Sequence, residues 1–416
     1  AMALPAINLR AIADTFQRQE AVVAAEQTLE RAFAGVQQPR TDEGATSAGG
    51  LTRAFLLGAD PDLAETIVMT ATVQPEGDAA SSLSLAAIHW RSVSYDIYTG
   101  SGWSRSDERQ QPFDAGQPIP LASEAMAPDA RFILLEQSVN WIYDLRATRY
   151  TVGRPVVFSH DLFVHWRGVD DLVGVRGRNN APHRYEVETQ ALVLDPAALA
   201  SARLEDVPAQ IRARYTALPD GVPPRVFDLA RQAAGLEGQE GETLPPPPPY
   251  EQARAIEAFL HQYPYSLDVS LPPRDVDVVD YFLFDLQEGF CDYYASAMVV
   301  MARAVGLPAR LAAGFLQQPA DAAGVQTLRQ IDAHSWAEVY FAGYGWVEFE
   351  PTAPFAAQQT VAPATTTSPG DPATYYPPAA TAVAVPPRAP QRDVPWLPLL
   401  GLAALALAAW RLWGQP

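Results

Sequence analysis

The sequence predicts an α+β fold: a β-rich N-terminal domain, then a core in which a buried helix precedes a β-hairpin, then a C-terminal transmembrane helix. Three observations carry this reading. From about residue 51 to 194, short runs rich in Val, Ile, Thr, Tyr and Phe alternate with turn clusters such as "TGSG". Downstream, Tyr294, Ala295, Met298, Met301, Ala302 and Val305 recur at helical spacing and stop at Gly306, with Pro308 just beyond. The segment "DAHSWAEVYFAGYGWVEFEPTAP" then alternates like two strands around a glycine-containing turn.

Taken in order, residues 1–50 form an N-terminal helical segment, with an apolar stripe through Leu9, Ile12, Phe16, Val22, Val23, Leu29 and Phe33 that ends at "TSAGG". Residues 51–195 form the β-rich domain. Its strand-like runs are "ETIVMTATV", "LAAIHWRSVSYDIY", "RFILLEQSV", "RYTVGRPVVFS" and "HRYEVETQALVL", a pattern of sandwiches and barrels. Residues 196–249 are helical, closing on the extended connector "GETLPPPPPY". Residues 250–354 form the α+β core, opened by a helix over Tyr250–Gln262. Residues 355–394, low in charge and rich in Ala, Pro and Thr, make a disordered stalk. Residues 395–413 make the transmembrane helix. The uncharged run from Val394 to Trp410 spans 17 residues, at the short limit for a bilayer, with Trp396 and Trp410 near its ends and Arg411 marking the cytoplasmic side. A buried core helix is the other reading of that run, but a core helix does not hang from a proline-rich tether.

Composition removes several function classes. The net charge is −19, and the 29 basic residues are all arginine, scattered rather than gathered into a stripe. Nucleic acid is therefore not a partner. The single cysteine excludes a disulfide scaffold and a cysteine zinc site. Of the six histidines only His160 and His165 lie close together, and they read as ordinary residues of the β-rich region. No calcium-type loop is present, no metal site is called for, and no cofactor is required.

Cys291 sits at the first turn of the buried helix, just after Gly289. Free backbone N–H groups and the positive end of the helix dipole there favour thiolate. A lone cysteine is more often an inert core residue, so the second half of the pattern decides. On the hairpin, Ser335, Ala337, Val339 and Phe341 face one side. His334, Trp336, Glu338 and Tyr340 face the other, with Trp346, Glu348 and Glu350. A turn centred on Ala342 sets His334 opposite Glu350, with Cβ atoms about 5 Å apart. One centred on Tyr344 offsets them by roughly 13 Å, unless a bulge at Gly343 or Gly345 corrects the register. A thiolate needs a base, and the base needs a carboxylate on its far ring nitrogen. Cys291, His334 and Glu350 supply that set in chain order.

These motifs carry a resemblance. From about Ala253 to Pro354 the chain resembles the transglutaminase-like superfamily, which has a papain-like cysteine protease α+β core. "GFCDYYASAMVVMARAVGLPAR" is similar to its nucleophile helix, and "HSWAEVYFAGYGWVEFEPT" to its histidine and acid block. Upstream, "LAAIHWRSVSYDIYTGSGW" resembles the extracytoplasmic part of bacterial transglutaminase-like membrane proteins. The resemblance implies Cys291 as nucleophile, His334 as base and Glu350 as acid. The family usually has aspartate at that last position, and Glu348, on the same face, is the other candidate. The backbone N–H of Cys291 is one oxyanion donor, and the Gln287 side chain a weaker one. Trp336 and Trp346 either wall the acyl site or pack the sheet, and Arg310 reads as a structural ion-pair residue.

The expected function is that of an extracytoplasmic, membrane-tethered thiol enzyme. It would act on a protein or peptide substrate, by acyl transfer or hydrolysis through a cysteine thioester. The alternative is a catalytically inactive scaffold or binding protein of the cell envelope. A different papain-like peptidase acting on cell-wall peptides is a further rival, which the "GWVEFEPT" block disfavours.

Overall fold

The computed structural model describes residues 54–56, 65–76, 85, 89–120, 127–142, 148–168, 171–178, 181–236, 245–273 and 275–355. The predicted N-terminal helix, most of the stalk and the 395–413 span lie outside these residues. No helix among the described residues is long and apolar enough to cross a membrane.

The β-rich half forms two main sheets. One has five strands in the order Gln326–Arg329, Ile67–Pro75, Phe132–Trp141, Arg184–Leu192, Arg154–Phe158. The other has four, ordered Arg109–Phe113, Leu162–Arg167, Asp171–Gly177, Thr148–Arg149. Strict alternation explains the first: Tyr185, Val187, Thr189 and Ala191 of one strand all turn inward, as do Leu135, Gln137 and Val139 of its neighbour. They share a core with Leu162, Val164 and Val175 of the second sheet, as the two sheets of a sandwich do.

The α+β core is built on a four-stranded antiparallel sheet, ordered Gly345–Phe349, Ala333–Phe341, Ala309–Leu316, His89–Tyr95. The helix Cys291–Ala304 packs on it and is buried on every side from Asp292 to Arg303. Helices Pro224–Ala233 and Pro249–Leu260 cover the far side of that helix. It stops as its sequence requires. Gly306 takes φ 85°, the Leu307 N–H reaches back to Ala302 O at 2.9 Å, and the Gly306 N–H to Arg303 O at 2.9 Å, a Schellman closure.

Two strands cross between the segments 51–195 and 250–354. His89–Tyr95 is an edge of the core sheet, and Gln326–Arg329 is an edge of the five-stranded one. Such non-local pairings leave no mark in local periodicity.

Gly314 is where the first crossing is tightest. The pairing with His89–Tyr95 is bulged between Ala313 and Gly314, and a Cβ on Gly314 would lie 1.8 Å from the Trp90 carbonyl oxygen. Backbone cannot yield as a flexible side chain would. Gly314→Ala is expected to destabilise the protein by about 3 kcal/mol in urea denaturation. A loss under about 1 kcal/mol would mean that the strands part there without penalty.

Candidate active site

Cys291 opens its helix after an extended Phe290, and no side chain caps the helix N-terminus. The first N–H groups of a helix have no intrahelical partner, so they face outward beside the sulfur. The approach is pinned: Gly289 N–H donates to Pro264 O at 3.2 Å, and Gly289 O accepts from Ser266 N–H at 2.8 Å. A Cβ on Gly289 would press on Tyr293 Cβ at 3.1 Å and on Phe282 at 3.2 Å. The thiol itself is only half-buried.

The hairpin register answers the question that strand parity left open. Ala337 stands opposite Phe349 and Phe341 opposite Gly345, which centres the turn on Gly343, between the two alternatives. Gly343 and Gly345 supply the positive φ angles, 80° and 84°, that the turn needs. One step beyond the ladder, Glu350 falls diagonal to His334 on the same face. The glutamate arm spans that diagonal, and His334 Nε2–H donates to Glu350 Oε2 at 2.6 Å. The other ring nitrogen is left for Cys291, whose thiol is near enough to help raise His334, while the Cys291 Sγ–H itself points to Asp292 Oδ1 at 4.0 Å.

Glu350 is fixed at both backbone and side chain. Its N–H donates to Glu257 Oε1 at 2.8 Å. Its carbonyl accepts from His261 Nε2–H at 2.8 Å. Oε1 accepts from Thr352 N–H at 2.8 Å. The helix Pro249–Leu260 thus holds the acid from below, and Arg254 pairs with Glu257 in turn. The methylene that distinguishes this acid from aspartate hangs free at neither end.

A second histidine completes the cluster. His89 Nδ1 contacts Glu348 Oε2 at 2.8 Å and His89 Nε2 contacts Glu350 Oε2 at 3.1 Å. Both ring nitrogens therefore face carboxylate oxygen, which requires both to carry protons. Glu348 is consequently spent on His89, and Glu350 is the carboxylate on His334.

Burial alone would push His334 down. The Glu350 charge, the thiol beside it and the Glu350 hydrogen bond outweigh burial and hold it up at about 9. His89 is likewise pushed down by burial but raised to about 9 by its bonds and charges to Glu348 and Glu350. Glu350 is raised by burial, yet the charge and hydrogen bond of His334, with those of His89, hold it well below the usual carboxylate range. Next to the cysteine, burial pushes the Asp292 carboxyl up to about 6, and the Ser335 hydroxyl donates to it at 2.7 Å.

The other sequence candidates separate. Trp336 is fully buried and stacks on His89, ring centroids 4.2 Å apart. Trp346 shares the face but lies toward its other end, edge-on to Tyr215 at 4.7 Å with the Arg310 guanidinium 4.0 Å above it. It does not reach the His334 group. Gln287 has left-handed backbone, φ 57°, the only such non-glycine among the described residues. Its N–H closes the turn Phe282–Leu286 onto Phe282 O at 2.9 Å. Phe355 covers His334 edge-on at 5.2 Å. The residue that sequence reasoning missed is His89. Its one signal was a polar 89/91 alternation at the head of an otherwise strand-like run.

The ligand-type atoms of His89, His334 and Glu350 lie within 4.8 Å of one another, as a metal site's would. The contacts that Glu350 makes to the two rings are hydrogen bonds that satisfy these atoms, and the cluster reads as a proton network. A groove of about 560 Å³ on the five-stranded sheet, lined by Glu136, Glu186 and Glu188 among others, shares no residue with it.

Parts of the chain are similar to known proteins. Residues 239–351 match the transglutaminase-like superfamily. The chain is 26% identical over 334 residues to the protein-glutamine gamma-glutamyltransferase of Pseudomonas aeruginosa, covering 78% of this chain and 44% of that protein. It is 37% identical over 150 residues to the uncharacterized protein YebA of Bacillus subtilis, covering 34% of this chain and 19% of that one. The chain thus spans less than half the length of either relative. The crystal structure of the periplasmic domain of TgpA from Pseudomonas aeruginosa has the same fold. Its TM-score is 0.50 at 20% identity, and the match covers 75% of this chain and 98% of that domain.

Proposed function

We propose, from the match of residues 239–351 to the transglutaminase-like superfamily, that the chain is an extracytoplasmic thiol acyltransferase acting on carboxamide side chains of protein or peptide substrates. The observation that carries the reading is the 2.6 Å bond from His334 to Glu350, made while His334 also faces Cys291. The relative named as a protein-glutamine gamma-glutamyltransferase supports transfer. The periplasmic domain of like fold supports an extracytoplasmic setting. A membrane tether through residues 395–413 belongs to the same proposal.

The Cys291 sulfur adds to the carboxamide carbon, and the carbonyl electron pair moves to oxygen. The uncapped helix N-terminus, with the Cys291 N–H, faces that oxyanion. Collapse restores the carbonyl and breaks the C–N bond. The departing nitrogen takes the His334 proton and leaves as ammonia, with a thioester on the sulfur. A primary amine then adds to the thioester, neutral His334 accepts its proton, and the sulfur departs as thiolate. Glu350 keeps the imidazole in the tautomer both half-reactions need.

The test is ammonia release from an amino-blocked glutamine dipeptide, with and without a fluorescent primary amine, in wild type and Cys291→Ala. The expected result is ammonia together with amine incorporation, both absent from the variant. Ammonia without incorporation would make the protein a hydrolase, and neither in wild type would leave the scaffold reading.

A further inference from the structure

We propose that His89, delivered by the β-rich segment, is a positioning residue for the acid of this site: held through Nδ1 by Glu348, it donates Nε2–H to Glu350 and keeps that carboxylate on His334. The proposal rests on the thiol-enzyme reading and gives the β-rich segment a part in it.

The geometry is specific at each contact. Glu350 Oε2 accepts from His334 at 2.6 Å and from His89 at 3.1 Å, so one oxygen is shared between the two rings. Glu348 Oε2 accepts both the His89 ring Nδ1–H at 2.8 Å and its backbone N–H at 3.2 Å. The imidazole plane is clamped by Trp336, nearly parallel at 16°, and lies near-parallel to His334 at 22° with centroids 5.4 Å apart. All of these side chains are almost wholly buried. A glutamate reaching diagonally across a hairpin has one more rotatable bond than aspartate; the Thr352 N–H holds its Oε1, and a second donor on Oε2 restricts the oxygen that serves His334.

The charges facing His89 come from three strands. Glu348 and Glu350 stand on Gly345–Phe349 and its exit, His334 and Glu338 on Ala333–Phe341, and Arg91 two residues along its own strand. Arg91 is occupied by Glu338 at 3.1 Å and by the Leu172 carbonyl at 2.8 Å. His89 therefore serves Glu348 and Glu350 alone.

His89 lies 245 positions before His334 in the chain and reaches it only because its strand pairs with Ala309–Leu316, with His89 opposite Leu316. The second donor on Glu350 Oε2 is consequently present only when the β-rich segment is docked, while the Glu257, His261 and Thr352 contacts come from the core itself. Cys291 and His334 by themselves do not need that segment.

Three substitutions in the full chain test this. Glutamine places an amide nitrogen near the position of histidine Nε2 and can keep the Glu350 bond. Asparagine mimics Nδ1 and can keep only the Glu348 bond. Alanine keeps neither. The readout is the rate of iodoacetamide alkylation of the single cysteine at pH 6.5, followed by intact mass, beside the melting temperature. The expected result is that His89→Gln reacts within threefold of wild type, whereas His89→Asn and His89→Ala slow by tenfold or more. A structural role alone would lower melting without separating Gln from Asn. Wild-type rates in His89→Ala, or equal losses in Gln and Asn, overturn the proposal and leave the enzyme reading standing. If wild type itself reacts no faster than His334→Ala, the enzyme reading falls and the proposal falls with it.

Discussion

His334→Ala is expected to slow alkylation of Cys291 by more than tenfold at pH 6.5 and to reduce acyl transfer by about 10²–10⁴-fold. His334 is buried and carries its proton up to about pH 9, because Glu350 and the thiol outweigh the burial that opposes charge. Through the neutral range an imidazolium therefore faces the half-buried sulfur and stabilises its thiolate. Alanine removes both the charge and the base. The pH dependence gives the sign of the effect. The advantage of wild type is full well below pH 9 and shrinks as pH rises through that value, where His334 loses its proton. Above it the two proteins are expected to react at similar rates. Equal rates at pH 6.5 would show that the imidazole does nothing for the sulfur, and the chemistry derived for this site would fail with it.

The site was legible as far as chain order and strand parity reach. Cys291 at a helix start, then His334 and Glu350 on one face of a hairpin, follow from periodicities of 3.6 and 2. The pairing partner does not, because a turn centred on 342, 343 or 344 leaves the local pattern almost unchanged. Gly343 and Gly345 were readable only as places for a bulge; in the structure their positive φ angles instead centre the turn between the extremes. The same limit explains Trp346. Parity places it correctly on the His334 face, but that face is long enough to hold two clusters, and Trp346 belongs to the one around Arg310. Glu348 was visible as a rival for Glu350 but not as the partner of His89. For the fold, the strand-rich and helix-rich stretches were readable, while the strands exchanged between them were not. His89 lies at the head of one such strand. A lone histidine in a strand carries no sign of what a second segment will bring against it, so the missed residue and the missed pairing are one error.

Arg310→Ala is expected to be the most destabilising single truncation of a charged side chain, by about 3–5 kcal/mol in urea denaturation at pH 7. Arg310 is buried, and its Nε–H donates to Glu338 Oε2 at 2.5 Å. Its Nη1 bonds Asp171 of the β-rich half, and its guanidinium lies over the Trp346 ring. Burial pushes Glu338 up, but the charges of Arg310 and Arg91 and the Arg310 bond hold it below its ordinary range. Without Arg310, Glu338 keeps Arg91 at 3.1 Å, and Asp171 keeps Tyr215 and, at 3.6 Å, Arg167. Both carboxylates would stay buried with part of their compensation gone, which is where the penalty of a broken buried pair arises. Arg310→Lys should recover only part of the loss, since an ammonium cannot fork between two carboxylates or stack on an indole. A loss below about 1 kcal/mol for Arg310→Ala would mean that the pair behaves like a surface ion pair. The consequence reaches the active site through topology. Arg310 lies on the strand that pairs with both His89–Tyr95 and Ala333–Phe341, and Asp171 begins a strand of the β-rich half. The ion cluster and the His89–Glu350 contact therefore lie across the same junction. Weakening that junction should release His89 from Glu350 in the same urea transition that unfolds the sheet, with Cys291 reactivity at pH 6.5 falling at the same midpoint.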